Sequence, residues 1–357
     1  MKILIPVLSF GKSGGFRVLS KLADTWILNG HEVAFITPIA NILPYFPTNA
    51  NIYWVNTNGD CLSEEHIIDE TEYSIVSRWL ALYRGLNNLK QERDVILANH
   101  SLSVYPIVLS KIKGKRFYYI QAYEPEYYQS FKGFKSKIFS FFSWLSYFFT
   151  IKKIVNADLY RNYKNIRSEC VVYPGIDFHL FKPLHHLQVP ENKTILGSIG
   201  RTESYKGTNY VLDAFLLSVQ ENPNLELHIA FGDKSIEKLH PGIKVFTPKN
   251  DQELALFYNS LDILIAAGTV QLGAIHYPVI EAMACGIPVI NTGYFPSTEE
   301  NSWIVPIKNA KAISLSIANV LLDPVGREAK IRCGLDSVKQ FGWNIVAQKM
   351  ISYFQQK

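Results

Sequence analysis

Short apolar runs alternate with amphipathic stretches along most of this chain, and that alternation leaves few folds open. Residues 3–8 form an apolar run, 15–29 an amphipathic one, and 31–37 a second apolar run. A strand–helix–strand unit of about 35 residues is what a parallel sheet requires, because parallel neighbours need a crossover between them. Gly30 stands where such a helix would end in a residue tolerant of positive φ. Runs at 95–98 and 117–120 read as further strands of the same sheet.

A second series starts at 194–199 and continues through 225–230, 243–246, 263–266 and 288–291, with helical patterns between the runs. Two consecutive series predict two doubly wound α/β domains. The length of 357 residues agrees, since domains usually hold about 100–200. Tyr173-Pro174-Gly175-Ile176-Asp177, running on to Lys182-Pro183, is rich in turn formers and marks the linker. Residues 342–356 carry helical spacing through Trp343, Val346, Ile351 and Phe354.

Apolar residues make up 48% and charged residues 19%, which excludes a disordered chain. A net charge of +5 without a dense Lys/Arg stripe argues against nucleic acid as a partner. It is compatible with an anionic ligand or an anionic membrane surface. Cys61, Cys170, Cys285 and Cys333 are far apart and form no CxxC pair, so neither a disulfide framework nor a zinc site is expected, and a reducing cytoplasm fits. The N-terminus reads as a buried first strand, and no run approaches the roughly 20 apolar residues of a membrane span.

Six short segments stand out in order: Gly14-Gly15-x-Arg17; Asn29-Gly30-His31-Glu32-Val33; Tyr173 to Asp177; Gly200-Arg201 with Lys206-Gly207; Pro278-Val279-Ile280-Glu281-Ala282-Met283-Ala284-Cys285-Gly286-Ile287-Pro288-Val289; and Phe341-Gly342-Trp343. Taken together, they resemble family 4 glycosyltransferases. The resemblance implies the GT-B fold, two Rossmann-like domains facing a cleft. It implies an acceptor-binding domain over 1–175, joined by a C-terminal helix over 342–357 that packs back on it. The second domain, 176–341, would bind the nucleotide sugar. The implied activity is retaining transfer of a hexose from a nucleoside-diphosphate sugar to a glycan or lipid-linked glycan, in surface polysaccharide biosynthesis, with no further cofactor.

Glycines in the 11–15 loop let backbone N–H groups approach an anion, and the helix that follows adds positive partial charge. The loop is neither a Walker A sequence nor a complete GxGxxG, and a tight turn without a ligand is the alternative. In the resembled family, Gly14 and Gly15 would lie under the donor phosphates and near the acceptor. Arg201 and Lys206 follow the 194–199 run, where two fixed cations would stabilise the charge that grows on a departing diphosphate. No Asp-x-Asp occurs, so these cations would stand in for a bridging metal. A solvated surface pair is the alternative.

Glu281 is expected to open a helix, where its carboxylate would accept both ribose hydroxyls and favour the positive helix end. The family usually carries two glutamates eight positions apart, and here the first position is Gly273. Gln271 or His276 would be the substitute partner for the donor sugar, while Gly273 and Ala274 leave backbone amides open to sugar and phosphate. That departure keeps two rivals in view: a non-catalytic sugar-nucleotide-binding protein on the same fold, and a sugar-nucleotide epimerase of GT-B type.

His100 follows the 95–98 run, at the end of a strand where open α/β sheets gather ligands. In the family a histidine near here touches the donor sugar; a helix-capping or core histidine is the alternative. Tyr123 and Glu124, in a segment of carboxylates and aromatics after the 117–120 run, have the chemistry of a sugar-binding surface. That segment is similar to some rhamnosyltransferases of the family. Residues 131–154 set aromatic bulk between Lys132, Lys135, Lys137 and Lys152, Lys153. They read either as a peripheral contact with the inner face of the plasma membrane, or as a long helix buried on the first sheet, which the nearly all-round aromatic distribution favours.

Overall fold

The computed structural model describes residues 1–39, 43–62, 73–129, 131, 133–184, 193–200, 203–269 and 275–357. The chain divides into two units, Met1–Gly175 with Trp343–Lys357, and Ile176–Gly342.

The first unit runs β1 (Lys2–Pro6), α1 (Gly14–Leu28), β2 (Glu32–Pro38), β3 (Asn51–Val55), β4 (Cys61–Leu62), α2 (Ile75–Asn88), β5 (Val95–Ala98), α3 (Ser101–Leu109), β6 (Lys115–Ile120), α4 (Glu124–Gln129), α5 (Phe134–Ser146), β7 (Lys152–Val155) and β8 (Ser168–Val171). Among the described residues its sheet has the order β4-β3-β2-β1-β5-β6-β7-β8, parallel except where β4 returns against β3. Both faces are covered, which is why the strands read as unbroken apolar runs. Ile3, Ile5, Phe35, Leu97, Phe117 and Ile154 point to one face; Leu4, Ile36, Ile96, Tyr118, Ile120 and Val155 point to the other. Burying each such side chain contributes about 1.5–3 kcal/mol before the entropy of ordering is counted. On α1, Leu19, Leu22 and Trp26 are buried against the first face. Gly30 has φ +82°, so the left-handed residue ends α1 where its sequence position predicts.

The second unit runs β9 (Thr194–Ile199), α6 (Thr208–Glu221), β10 (Leu225–Ala230), β11 (Ile243–Phe246), α7 (Asp251–Asn259), β12 (Ile263–Ala266), α8 (Tyr277–Ala284), β13 (Val289–Asn291), β14 (Trp303–Ile304), α9 (Ala310–Leu322) and α10 (Pro324–Val338). Its described strands pair in parallel in the order β11-β10-β9-β12-β13-β14. Leu227, Ile229, Ile263 and Ile265 meet Phe215 of α6 and Ile313 and Ile317 of α9 in its core. The chain then returns to the first unit as α11 (Trp343–Gln356), whose Val346, Met350, Ile351 and Phe354 join the core beside Trp26. The Trp26 indole N–H donates to the Ala347 carbonyl at 3.1 Å, so a buried polar atom is satisfied by the last helix.

Each sheet reverses direction once about its first strand. β2 and β5 flank β1, and β10 and β12 flank β9. The crevices at the carboxyl ends of β1/β5 and β9/β12 are therefore the topological switch points, where ligands of open α/β sheets bind.

Residues 131–154 differ from the expected single buried helix. α5 stops at Ser146, and β7 takes up the chain from Lys152. Lys153 is buried with its ammonium donating to the Phe149 and Ile151 carbonyls, at 3.1 and 3.3 Å, and burial pulls its pKa down. It belongs to the sheet and not to a basic flank. The aromatic side chains divide: Tyr147 is buried and Phe139 and Phe149 are half-buried, whereas Phe134, Phe141, Phe142, Trp144 and Phe148 are exposed.

Candidate functional site

A cavity of about 240 Å³ lies at the β9/β12 switch point. Ser198 and Ile199 end one wall and Ile265, Ala266 and Ala267 the other; Lys206, His276 and Pro278 close the rim. The Ser198 hydroxyl donates to the Ile265 carbonyl at 2.9 Å, fixing the two strand ends side by side. Lys206 is half-buried at the end of a short 3₁₀ turn, Ser204–Lys206, with its ammonium 5.2 Å above the Tyr205 ring. The next residue, Gly207, is the N-cap of α6 with φ +79°, and a Cβ there would stand 2.0 Å from the Ala267 carbonyl oxygen. Only glycine allows that approach, which brings Lys206 and the start of α6 to the end of β12. On the far side, the His276 ring stacks on Tyr294 with centroids 4.0 Å apart, immediately before α8 begins. Lys206 and the start of α8 thus line one small space, with α6 beginning two residues beyond Lys206, an arrangement suited to an anion.

Of the residues read as donor-binding, the structure brings Lys206 and His276 into this cavity. Arg201, Gly273 and Ala274 lie outside the described residues, as does Gln271. Glu281 is not where it was expected. α8 starts at Tyr277, so Glu281 sits in the second turn, beyond the first turn in which the helix end favours a carboxylate. Its side chain is buried, and Oε2 accepts the Tyr258 hydroxyl at 2.9 Å. Burial first, and the Glu281 charge second, push the neighbouring Cys285 thiol up to about 12.

In the first unit, the β5 and β6 ends bring His100 and Glu124 together. His100 is the N-cap of α3, its Nδ1 accepting the Leu102 amide at 3.1 Å. That bond realises the capping alternative and leaves the ring proton on Nε2. Nε2 lies 3.8 Å from Glu124 Oε2 and 3.3 Å from the Tyr128 hydroxyl. Glu124 Oε2 also accepts the Ser101 amide at 2.7 Å. Burial, with the Glu124 carboxylate beside it, raises the Tyr128 phenol to about 12. Tyr128 closes the carboxylate- and aromatic-rich segment at 121–128 without being singled out in it; its spacing of four from Glu124 on the same helix was the available signal. Asn99 donates to the Pro6 carbonyl at 3.0 Å, tying β5 to the end of β1.

Gly14 and Gly15 are the first two residues of α1. The Gln121 amide donates to the Gly15 carbonyl at 3.2 Å, and a Cβ on Gly15 would meet that amide at 3.3 Å. Gly14 has open space where a Cβ would stand.

Tyr123 stacks between Tyr147 and Tyr163, with centroids 5.5 and 4.0 Å away, and lines an open groove of about 570 Å³ between α4 and α5. Glu126, Gln129, Lys137, Phe141, Trp144 and Tyr163 share that lining. Glu126 accepts the Tyr163 hydroxyl at 2.9 Å. Ring faces beside a carboxylate, an amide and an ammonium are the ingredients of a polyol-binding surface.

Two Rossmann-like parallel sheets in one chain, each with a topological switch point, make the GT-B fold of known glycosyltransferase structures. Residues 185–334 match the family model described as glycosyl transferases group 1. The Anabaena HepE structure in complex with UDP superposes with TM-score 0.71 at 16% identity, covering 100% of each chain. Sucrose-phosphate synthase from Thermosynechococcus elongatus gives TM-score 0.70 at 15% identity, over 99% of this chain and 98% of that one. In sequence, an uncharacterized glycosyltransferase of Haemophilus influenzae is 29% identical over 126 residues, 33% of this chain. A D-inositol 3-phosphate glycosyltransferase of Corynebacterium urealyticum is 20% identical over 231 residues, 56% of this chain. The matched segments span 35% and 54% of those two curated relatives.

Proposed function

We propose that this protein is a retaining glycosyltransferase that moves a hexose from a nucleoside-diphosphate sugar to a glycan or lipid-linked glycan. The observation that carries the reading is the β9/β12 cavity, lined by Lys206 and by the N-terminus of α8. A departing diphosphate gains charge as the glycosidic bond breaks, and donors fixed at that charge stabilise the transition state more than the ground state. Arg201 is assigned as the companion cation, His276 and the 273–274 backbone as contacts of the donor, and Glu281 as the ribose partner. No divalent ion is assigned. HepE, a fold neighbour, has been solved with UDP and with UDP-glucose, in keeping with a nucleotide-sugar donor.

The first unit is assigned the acceptor, with Tyr123 and the α4–α5 groove for its saccharide and His100, Glu124, Gly14 and Gly15 nearer the reacting hydroxyl. In the step proposed, the bond from the anomeric carbon to the diphosphate oxygen breaks and its electron pair leaves on that oxygen. The acceptor oxygen bonds to the same face of the carbon, and its proton passes to the leaving oxygen. Retention rests on the resemblance of the 278–289 segment to family 4 enzymes. The setting that fits is surface polysaccharide assembly, in the cytoplasm, at the inner face of the plasma membrane.

The test is turnover: nucleoside-diphosphate sugars offered with and without glycan and lipid-linked acceptors, with diphosphate release and anomeric configuration measured. Acceptor-dependent release and a retained anomer are expected. A new nucleotide sugar formed without acceptor would make the protein an epimerase, and donor binding with no turnover on any acceptor would make it a binding protein.

A further inference from the structure

α5 is amphipathic the wrong way round for a helix that meets water. Its serines face the protein: Ser140 donates to the Pro125 carbonyl at 3.1 Å, the Ser143 and Ser101 hydroxyls lie 2.6 Å apart, and Ser136 bonds the Tyr128 carbonyl. Ser140, Ser143 and Ser146 are the buried residues of the helix. Most of its aromatic residues face outward, with Phe134 79%, Phe141 55%, Phe142 42% and Trp144 41% exposed, and Phe148 just beyond it 55%, while Phe139 packs half-buried on Tyr128. A water-facing surface helix buries its apolar stripe and exposes its polar one. Here the hydrogen bonds of the serines hold the polar stripe inward, and turning the helix over would strand those hydroxyls.

The outward rings form one surface and are not scattered. Phe141 lies 5.7 Å from Phe142 and 6.1 Å from Trp144, and Trp144 lies 4.6 Å from Phe148. Residues 134, 138, 141, 145 and 148 repeat at the helical period, which lays a stripe along an element about 20 Å long. Contiguous exposed apolar surface of this kind marks an interaction site. The charge says what covers it. Residues 131–150, up to the start of β7, hold three lysines and no Asp or Glu. Lys135 and Lys137 are exposed on α5 itself. An apolar stripe along the side of a 13-residue helix has the geometry of a helix lying along an interface.

We propose that α5 lays this aromatic face on an anionic lipid bilayer, with Lys135 and Lys137 on the headgroups. Phe141 and Trp144 belong both to the face and to the α4–α5 groove, so the groove opens beside the bilayer. The docking stands on α5 alone; that the bilayer presents the acceptor rests on the transfer reading above.

The test is co-sedimentation of the full chain with phosphatidylcholine vesicles and with vesicles carrying phosphatidylglycerol. Binding is expected to the anionic vesicles, on the order of tenfold tighter than to neutral ones and weakened by salt. Phe134→Ser with Phe148→Ser should lose that binding at least about tenfold at unchanged thermal unfolding, since both side chains are exposed. Lys135→Gln should reduce the preference for anionic lipid. Equal binding of wild type and variant, or no binding by either, overturns the proposal. A concentration-dependent dimer in sedimentation velocity that the Phe variant abolishes, without vesicle binding, overturns it in favour of a second copy. Vesicle binding without acceptor-dependent turnover keeps the docking and rejects the transferase reading; the opposite pattern does the reverse.

Discussion

One oxygen of Glu124 accepts the Ser101 amide at 2.7 Å and stands 3.8 Å from His100 Nε2, so a single carboxylate ties the first turn of α3 to the imidazole that caps it. Capping and chemistry can be separated here. His100→Ala should lose about 1 kcal/mol of stability with the cap, whereas His100→Asn should keep most of it, because asparagine caps well. If the imidazole also takes part in transfer, both variants should lose about 10²–10⁴-fold in turnover. Full turnover in His100→Asn would reduce His100 to a cap. Thermal unfolding and kcat on the same two variants decide it.

Gly207 and Gly14 should respond oppositely to alanine. At Gly207 a Cβ would stand 2.0 Å from the Ala267 carbonyl oxygen on a backbone with φ +79°. Gly207→Ala should cost on the order of 1–3 kcal/mol and displace Lys206. At Gly14 nothing lies within 4 Å of the added carbon. Gly14→Ala should hold or gain up to about 1 kcal/mol by chemical denaturation. Lost turnover in a stable Gly14→Ala would place substrate against that helix end.

Lys206→Ala should lower kcat/KM by about 2–4 kcal/mol of transition-state stabilisation, at near-normal thermal stability, the usual size for one lost charge-stabilising donor. Near-normal turnover would return Lys206 to the solvated surface.

Stability should fall with acid through His228. Burial holds this imidazole below its ordinary 6.5, against the smaller upward pull of its hydrogen bond to Glu226 at 3.3 Å. Below about pH 6.5 the unfolded chain takes up the proton first, so stability is full above that value and declines until the folded imidazole titrates. His31, lowered by burial and by the charged N-terminus, acts in the same direction. Unfolding midpoints from pH 8 to 5 should therefore drop, and His228→Asn should flatten part of the drop. A variant with the wild-type slope would remove His228 from the account.

β5, β9, β10 and β12, buried on both faces, have the boundaries that their apolar runs predict, and so does the edge strand β11, whose Lys244 and Phe246 are exposed. The strands that were not legible are short or mixed: β4 has two residues, and β8 carries Ser168 and Glu169. β7 was hidden because its two lysines followed an aromatic run and read as the end of a helix. His100 and Glu124 were legible separately, each as a polar residue just past a strand, but only the pairing of β5 with β6 brings them within 4 Å. The inversion of α5 was hidden by aromatic density. The serines at 136, 140, 143 and 146 repeat at the helical period, and reading that stripe would have shown which face turns inward.

The central claim is that the β9/β12 cavity holds a nucleoside diphosphate on Lys206. It is tested most directly by thermal unfolding of wild type and Lys206→Ala with UDP, GDP, dTDP, ADP and their sugars, each with and without chelator. At a hundredfold excess over its dissociation constant a ligand adds about 2.7 kcal/mol to the folded state. The account predicts that one diphosphate series stabilises the wild type regardless of chelator and stabilises Lys206→Ala much less. No response of the wild type to any nucleotide, or an equal response of both proteins, would contradict it.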